Sequence, residues 1–90
     1  MPRRKKPSMR YLVQGFESKE KIELLLSLTK IDSDNIHCAL NDYFVRGFEM
    51  AEAAEINNVR HSNLSRAVDT LNRISGTVEK LFELKSVSLN

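Results

Sequence analysis

The chain has a single cysteine, Cys38, among its ninety residues. No intrachain disulfide can form, which fits a reducing compartment. Its two prolines, Pro2 and Pro7, both stand in the first seven residues, so nothing later removes a backbone donor from a helix interior. The glycines, Gly15, Gly47 and Gly76, are too scattered to form a phosphate-cradling loop. The apolar runs fall far short of a membrane span, and no apolar segment of signal-peptide length follows the basic start. No alternating strand pattern is present. These absences leave one small all-α domain of four to five helices with a single modest core, placed in the cytoplasm.

Catalytic constellations are also missing. His37 and Cys38 are sequence neighbours, so a helix points them in different directions, and no third polar partner is suggested for a nucleophile pair. His61 stands alone, and two histidines with one cysteine lack the spacing of a zinc site. The carboxylates are scattered as on solvated helix faces. The expectation is a protein without enzymatic activity, cofactor, metal or evident small-molecule ligand.

The formal net charge is only +2, but its distribution is uneven. Arg3, Arg4, Lys5, Lys6 and Arg10 put five positive charges in the first ten residues with no acid among them. Residues 11–90 hold nine basic against twelve acidic side chains, a net −3. Residues 1–14 read as a basic flexible arm, 15–85 as the helical domain and 86–90 as a tail. Such an arm either follows DNA phosphates or a minor groove, or simply solubilises the chain.

Within the domain, Ser18 is placed to cap a first helix with Ile22, Leu25, Leu26 and Leu28 on a broad apolar face, ending near Lys30. Asp32 or Ser33 caps a second helix, with Ile36, Ala39, Leu40, Tyr43 and Phe44 inward, ending near Gly47. Asn41, Asp42 and Arg46 are expected to face solvent or neighbouring helix ends.

Residues 49–74 then read as a helix-turn-helix. Met50 to Glu55 is rich in Ala and Glu, both good helix formers. Asn57 and Asn58 tolerate the left-handed backbone of a sharp turn, Val59 is an apolar plug, and Ser62 is an N-cap candidate. Leu64, Ala67, Val68, Leu71 and Ile74 share one face. Asn63, Ser65, Arg66, Asp69, Thr70 and Arg73 occupy the other. Short amide, hydroxyl and guanidinium side chains suit base edges and phosphates. A plain helical hairpin would carry much of the same pattern. After Gly76, which is read as a kink or an end, Val78, Leu81 and Phe82 continue the spacing. That row is either the core face of a terminal helix or a seam for self-association.

The run ALNDYFVRGF from Ala39 to Phe48, with Glu52-Ala53-Ala54-Glu55, Val59, Leu64-Ser65, Leu71 and Arg73, resembles the adhesin biosynthesis transcription regulators. These are the PapB-type regulators of enterobacterial fimbrial operons. Gly15, Ser18, Leu24-Leu25, Leu28, Ile31 and Ser33 fall at matching spacings, so the resemblance spans roughly residues 15–74. Its most specific piece is Leu40 to Phe48. The resemblance implies a small helical protein that binds AT-rich DNA near fimbrial promoters, assembles as an oligomer along it and controls phase-variable expression. It also raises the minor groove beside the major one. The chain departs from the family pattern at Arg60-His61-Ser62-Asn63 and in its short, strongly basic arm, which leaves operator and groove open.

The reading is a nucleoid-associated bacterial transcription regulator whose partners are double-stranded DNA and further copies of itself, with no membrane. Its candidate DNA contacts are Arg60, His61, Ser62, Asn63, Ser65, Arg66 and Arg73, joined by Lys5 and Lys6 as salt-dependent phosphate contacts. The alternatives are a plasmid-type helix-turn-helix repressor and a helical protein-interaction adaptor. RNA binding is weaker, for want of aromatic stacking platforms.

Overall fold

A computed structural model describes residues 12–88, with side chains to residue 85. Among these residues there are four helices and no strand: α1 (Lys19–Leu26), α2 (Asp34–Phe44), α3 (Met50–Ile56) and α4 (His61–Ser88). Most of the basic arm, Lys5 and Lys6 included, and residues 89–90 of the tail lie outside the described residues.

The caps follow sequence chemistry. The Ser18 side chain accepts from the Lys21 N–H at the start of α1, and Ser33 accepts from the Ile36 N–H at the start of α2. Each bond satisfies one of the donors that a helix start leaves open. Two helices stop earlier than the sequence predicts, which places their ends near Lys30 and near Gly47. α1 ends at Leu26, because the N–H groups of Leu28 and Thr29 bond to the carbonyls of Leu25 and Leu26, tightening the last turn. Leu28 is therefore exposed rather than core. α2 ends at Phe44, and Gly47 lies beyond it with φ +83.

The segment ahead of α1 closes the end of α2. Gly15 N–H donates to the Tyr43 carbonyl and Glu17 N–H to the Phe44 carbonyl. The Gln14 amide donates to the carbonyls of Gly47 and Phe48. The bonds to Tyr43 and Phe44 occupy acceptors that the end of α2 leaves open. They require a close approach: a Cβ on Gly15 would stand 3.0 Å from the Gly47 Cα, and Gly15 itself has φ +78. The packed chain begins by Leu12, which is fully buried and whose N–H donates to Asn72 Oδ1 on α4.

α4 lies against α1, α2 and α3, and α2 touches the other three helices. Their shared core holds Leu12, Ile22, Leu25, Leu26, Ala39, Leu40, Tyr43, Phe44, Ala53, Ala54, Leu64, Ala67, Val68 and Leu71. Ala53 and Ala54 are the small residues that admit close packing at α3. Gly76 neither ends nor divides α4, which runs unbroken for 28 residues. The helix therefore outlasts the three that cover it, leaving Leu81 61% and Phe82 72% exposed.

Of the two placements expected for Asp42, solvent or a neighbouring helix end, it takes the second: it is buried and meets the end of α3 through Asn57. Its backbone carbonyl accepts from the Phe48 N–H. One carboxylate oxygen accepts from Arg46 at 3.2 Å and the other from the Asn57 amide at 2.8 Å. The Arg46 guanidinium lies over the Phe48 ring, 4.4 Å from its centroid. A buried carboxylate is tolerated because its oxygens are paired.

Candidate nucleic-acid interface

The turn between α3 and α4 spans residues 57–60. Asn57 caps α3, and its amide also donates to the Ala53 carbonyl. Asn58 carries the left-handed step, with φ +58. Asn is among the few non-glycine residues that adopt this conformation readily. Val59 packs against the core, and its N–H donates to the Ala54 carbonyl. α4 starts at His61, where the Leu64 N–H bonds to the Arg60 carbonyl. Ser62 therefore lies inside the first turn and does not cap it.

The helical period sorts the candidate residues into three stripes. Asn63 and Thr70 lie on the flank facing the α1–α2 connection, with Arg66 at its border with the outward stripe. Ser62, Arg66, Asp69 and Arg73 point directly away from the core. His61, Ser65 and Asn72 lie on the flank nearest the segment ahead of α1. Arg60, His61, Ser62, Asn63, Arg66 and Arg73 are exposed, whereas Ser65 is half-buried. Arg60, Asn63 and Arg66 are brought together around one cleft; His61, Ser62, Ser65 and Arg73 do not line it. Asp69 separates Arg66 from Arg73 along the outward stripe, so Arg60 and Arg66 at the start of α4 form a basic pair apart from Arg73.

Sequence reasoning missed the opposite wall of this cleft. Ile31 and Ser33 line it from the α1–α2 connection and Asn35 and Ile36 from the first turn of α2, with Asn58, Val59, Ala67 and Thr70 completing it. Its volume is about 550 Å³. Thr70 carried a sequence signal through its place on the polar face of the helix. Asn35 carried none, because its role depends on where α2 begins relative to α4. Arg66 Nη2 donates to Asn63 Oδ1 at 2.7 Å. That bond engages the amide oxygen and leaves the amide N–H groups as donors. Among the described residues, no group of three His, Cys, Asp or Glu side chains is arranged to hold a metal ion. No helix among the described residues is long and apolar enough to cross a membrane.

Comparison with known proteins bears on this geometry. The family model described as adhesin biosynthesis transcription regulatory protein, PapB, matches residues 3–84. The fold is similar to that in the crystal structure of FocB from E. coli, with a TM-score of 0.74 at 27% identity over 81% of this chain and 83% of that chain. A search of curated proteins finds no match.

Proposed function

The chain belongs to the adhesin biosynthesis transcription regulatory proteins, and from that premise we propose that it binds AT-rich promoter DNA of a fimbrial or adhesin operon as a homo-oligomer. A family of transcription regulators agrees with the expected lack of enzymatic activity. The observation that carries the DNA reading is the clustering of Arg60, Asn63 and Arg66 at the start of α4, around a cleft whose lining contains no carboxylate. Guanidinium and amide donors in that setting suit the phosphate backbone, and side chains at the start of the second helix of a helix-turn-helix are placed to reach base edges. Lys5 and Lys6 add phosphate attraction from the arm, and Arg73 adds a contact further along the duplex. The site of action is the bacterial cytoplasm, on the chromosome.

Self-association is supported by the far end of α4. Val78, Leu81 and Phe82 prolong the core stripe beyond the helices that cover it, and Leu24 of α1 is exposed nearby in a groove also lined by Val78. Antiparallel pairing of two such helix ends about Leu81 and Phe82 sets Lys80 of one copy opposite Glu83 of the other. The pair is thus charge-complementary as well as apolar.

The test is a salt-titrated gel shift on AT-rich fimbrial-promoter DNA against a matched GC-rich competitor. Stepwise bands that survive the competitor are expected. Equal binding to both DNAs, lost entirely at moderate salt, would assign the affinity to the basic arm alone and return the domain to the adaptor reading.

A further inference from the structure

We propose that the cleft between the α1–α2 connection and α4 seats one phosphate group, with Asn35 and Thr70 as contacts beyond the arginines. The proposal rests on the DNA-binding reading and names what the cleft contributes to it. Arg60 and Arg66 supply positive charge, and Asn63, Thr70, Asn35 and Ser33 supply polar groups around the same space. Asp32 and Asp34 flank this wall in sequence, but neither lines the cleft. Two other cavities differ in this respect: one holds Glu23 and Asp42, the other Glu20 and Glu79. An anion entering the cleft therefore meets donors and cations without a facing carboxylate, the condition for charge-assisted hydrogen bonds to phosphate oxygens.

The wall is held in place. His37 Nε2 donates to the Ile31 carbonyl at 2.6 Å, Thr29 Oγ1 accepts from the Ile31 N–H at 3.1 Å, and Thr29 Oγ1 donates to the Leu26 carbonyl at 2.8 Å. The wall opposite Arg66 is thus tied at Ile31 to α2 and to the last turn of α1. The Asn63 oxygen already accepts from Arg66, so the pair presents mainly donors. Phosphate oxygens need donors, whereas a two-point contact to adenine also needs an acceptor.

The deciding variant is Asn35→Asp, which sets a carboxylate into the cleft. Asn35 is exposed in the first turn of α2, where negative charge favours the helix, so the fold is retained and circular dichroism checks it. In fluorescence anisotropy with a labelled duplex, Asn35→Asp is expected to bind roughly tenfold or more weakly. The slope of log affinity against log salt should fall by about one. Thr70→Val should weaken binding in the same direction by a smaller factor. Wild-type affinity and slope in a folded Asn35→Asp protein would overturn the seat while leaving the DNA reading intact. Should the wild type bind no duplex, the DNA reading fails, and an NMR titration with inorganic pyrophosphate decides the seat. Shifts at Asn35, Asn63 and Arg66 that Asn35→Asp abolishes would keep it as a site for free phosphate. No shift would overturn it.

Discussion

Asp42 and Asp69 are both carboxylates on helices, and their surroundings give them opposite roles. Asp42 is buried and links α2 to the turn before α4 through the Asn57 amide. Its bond to the exposed Arg46 adds little, because an ion pair with one partner in solvent is weak. The bond to Asn57 matters more, since removing the carboxylate leaves a partly buried amide short of a partner. Asp42→Ala should cost about 1–3 kcal/mol in thermal or urea unfolding. A double-mutant cycle with Asn57→Ala should give a combined loss smaller than the sum of the two; strict additivity would show that the bond carries no coupling. Asp69 is exposed between Arg66 and Arg73. Replacing it with Asn removes a negative charge facing the proposed DNA surface. Asp69→Asn should tighten duplex binding several-fold at low salt, with the gain shrinking as salt screens it. Unchanged affinity across the salt series would place the DNA away from the outward stripe of α4.

At the scale of elements, the paired glycines show how the segment before α1 is built into the domain. Gly15 has φ +78, and a Cβ there would press on the Gly47 backbone at 3.0 Å, with no flexible side chain to yield. Gly15→Ala should destabilise the fold by more than about 1 kcal/mol, read as a lower midpoint in denaturant. A midpoint equal to that of wild type would mean that the segment can lift from α2 at no cost. This contact also shows where sequence reading stops. Caps at Ser18 and Ser33, the left-handed Asn58 and the buried stripe of α4 are local or periodic features, and each was legible from residue type and spacing. The burial of Asp42 was not, because Asn57 is fifteen residues away and becomes its partner only when α3 folds back on α2. The stop of α1 was misplaced because apolar spacing continued past it to Leu28, and that of α2 because Gly47 was taken as the stop signal; backbone bonds to the last turn and to the Gly15 segment end the helices at Leu26 and Phe44. Of the kink or end predicted at Gly76, the end does not occur: α4 continues through it, since one glycine costs a helix only about 1 kcal/mol and neighbouring turns can absorb that. For the candidate site, one wall was legible from the polar face of α4. The wall containing Asn35 arises from tertiary placement and left no trace in sequence spacing.

For the molecule as a whole, the two ends of α4 face different tasks. Its first turns carry Arg60, Asn63 and Arg66 beside the cleft, and its last turns carry exposed Leu81, Phe82 and Leu84. From Arg66 to Phe82 is sixteen residues, about 24 Å along the helix axis, so a side-chain change at one end makes no direct contact with the other. That separation allows DNA contact and self-association to be tested independently. Phe82→Glu places a charge on an apolar patch that no other helix covers, and it should leave folding intact because Phe82 is 72% exposed. Sedimentation of the free protein should shift towards monomer. On promoter DNA carrying several sites, the stepwise cooperative bands should give way to independent binding, while the intrinsic affinity for a single site stays within about twofold, since the guanidinium and amide contacts are untouched. Loss of single-site affinity would instead mean that the far end of α4 itself reaches the DNA. Retention of both cooperativity and oligomer size would move the self-association surface elsewhere, with the exposed Phe16 ahead of α1 as the next position to alter.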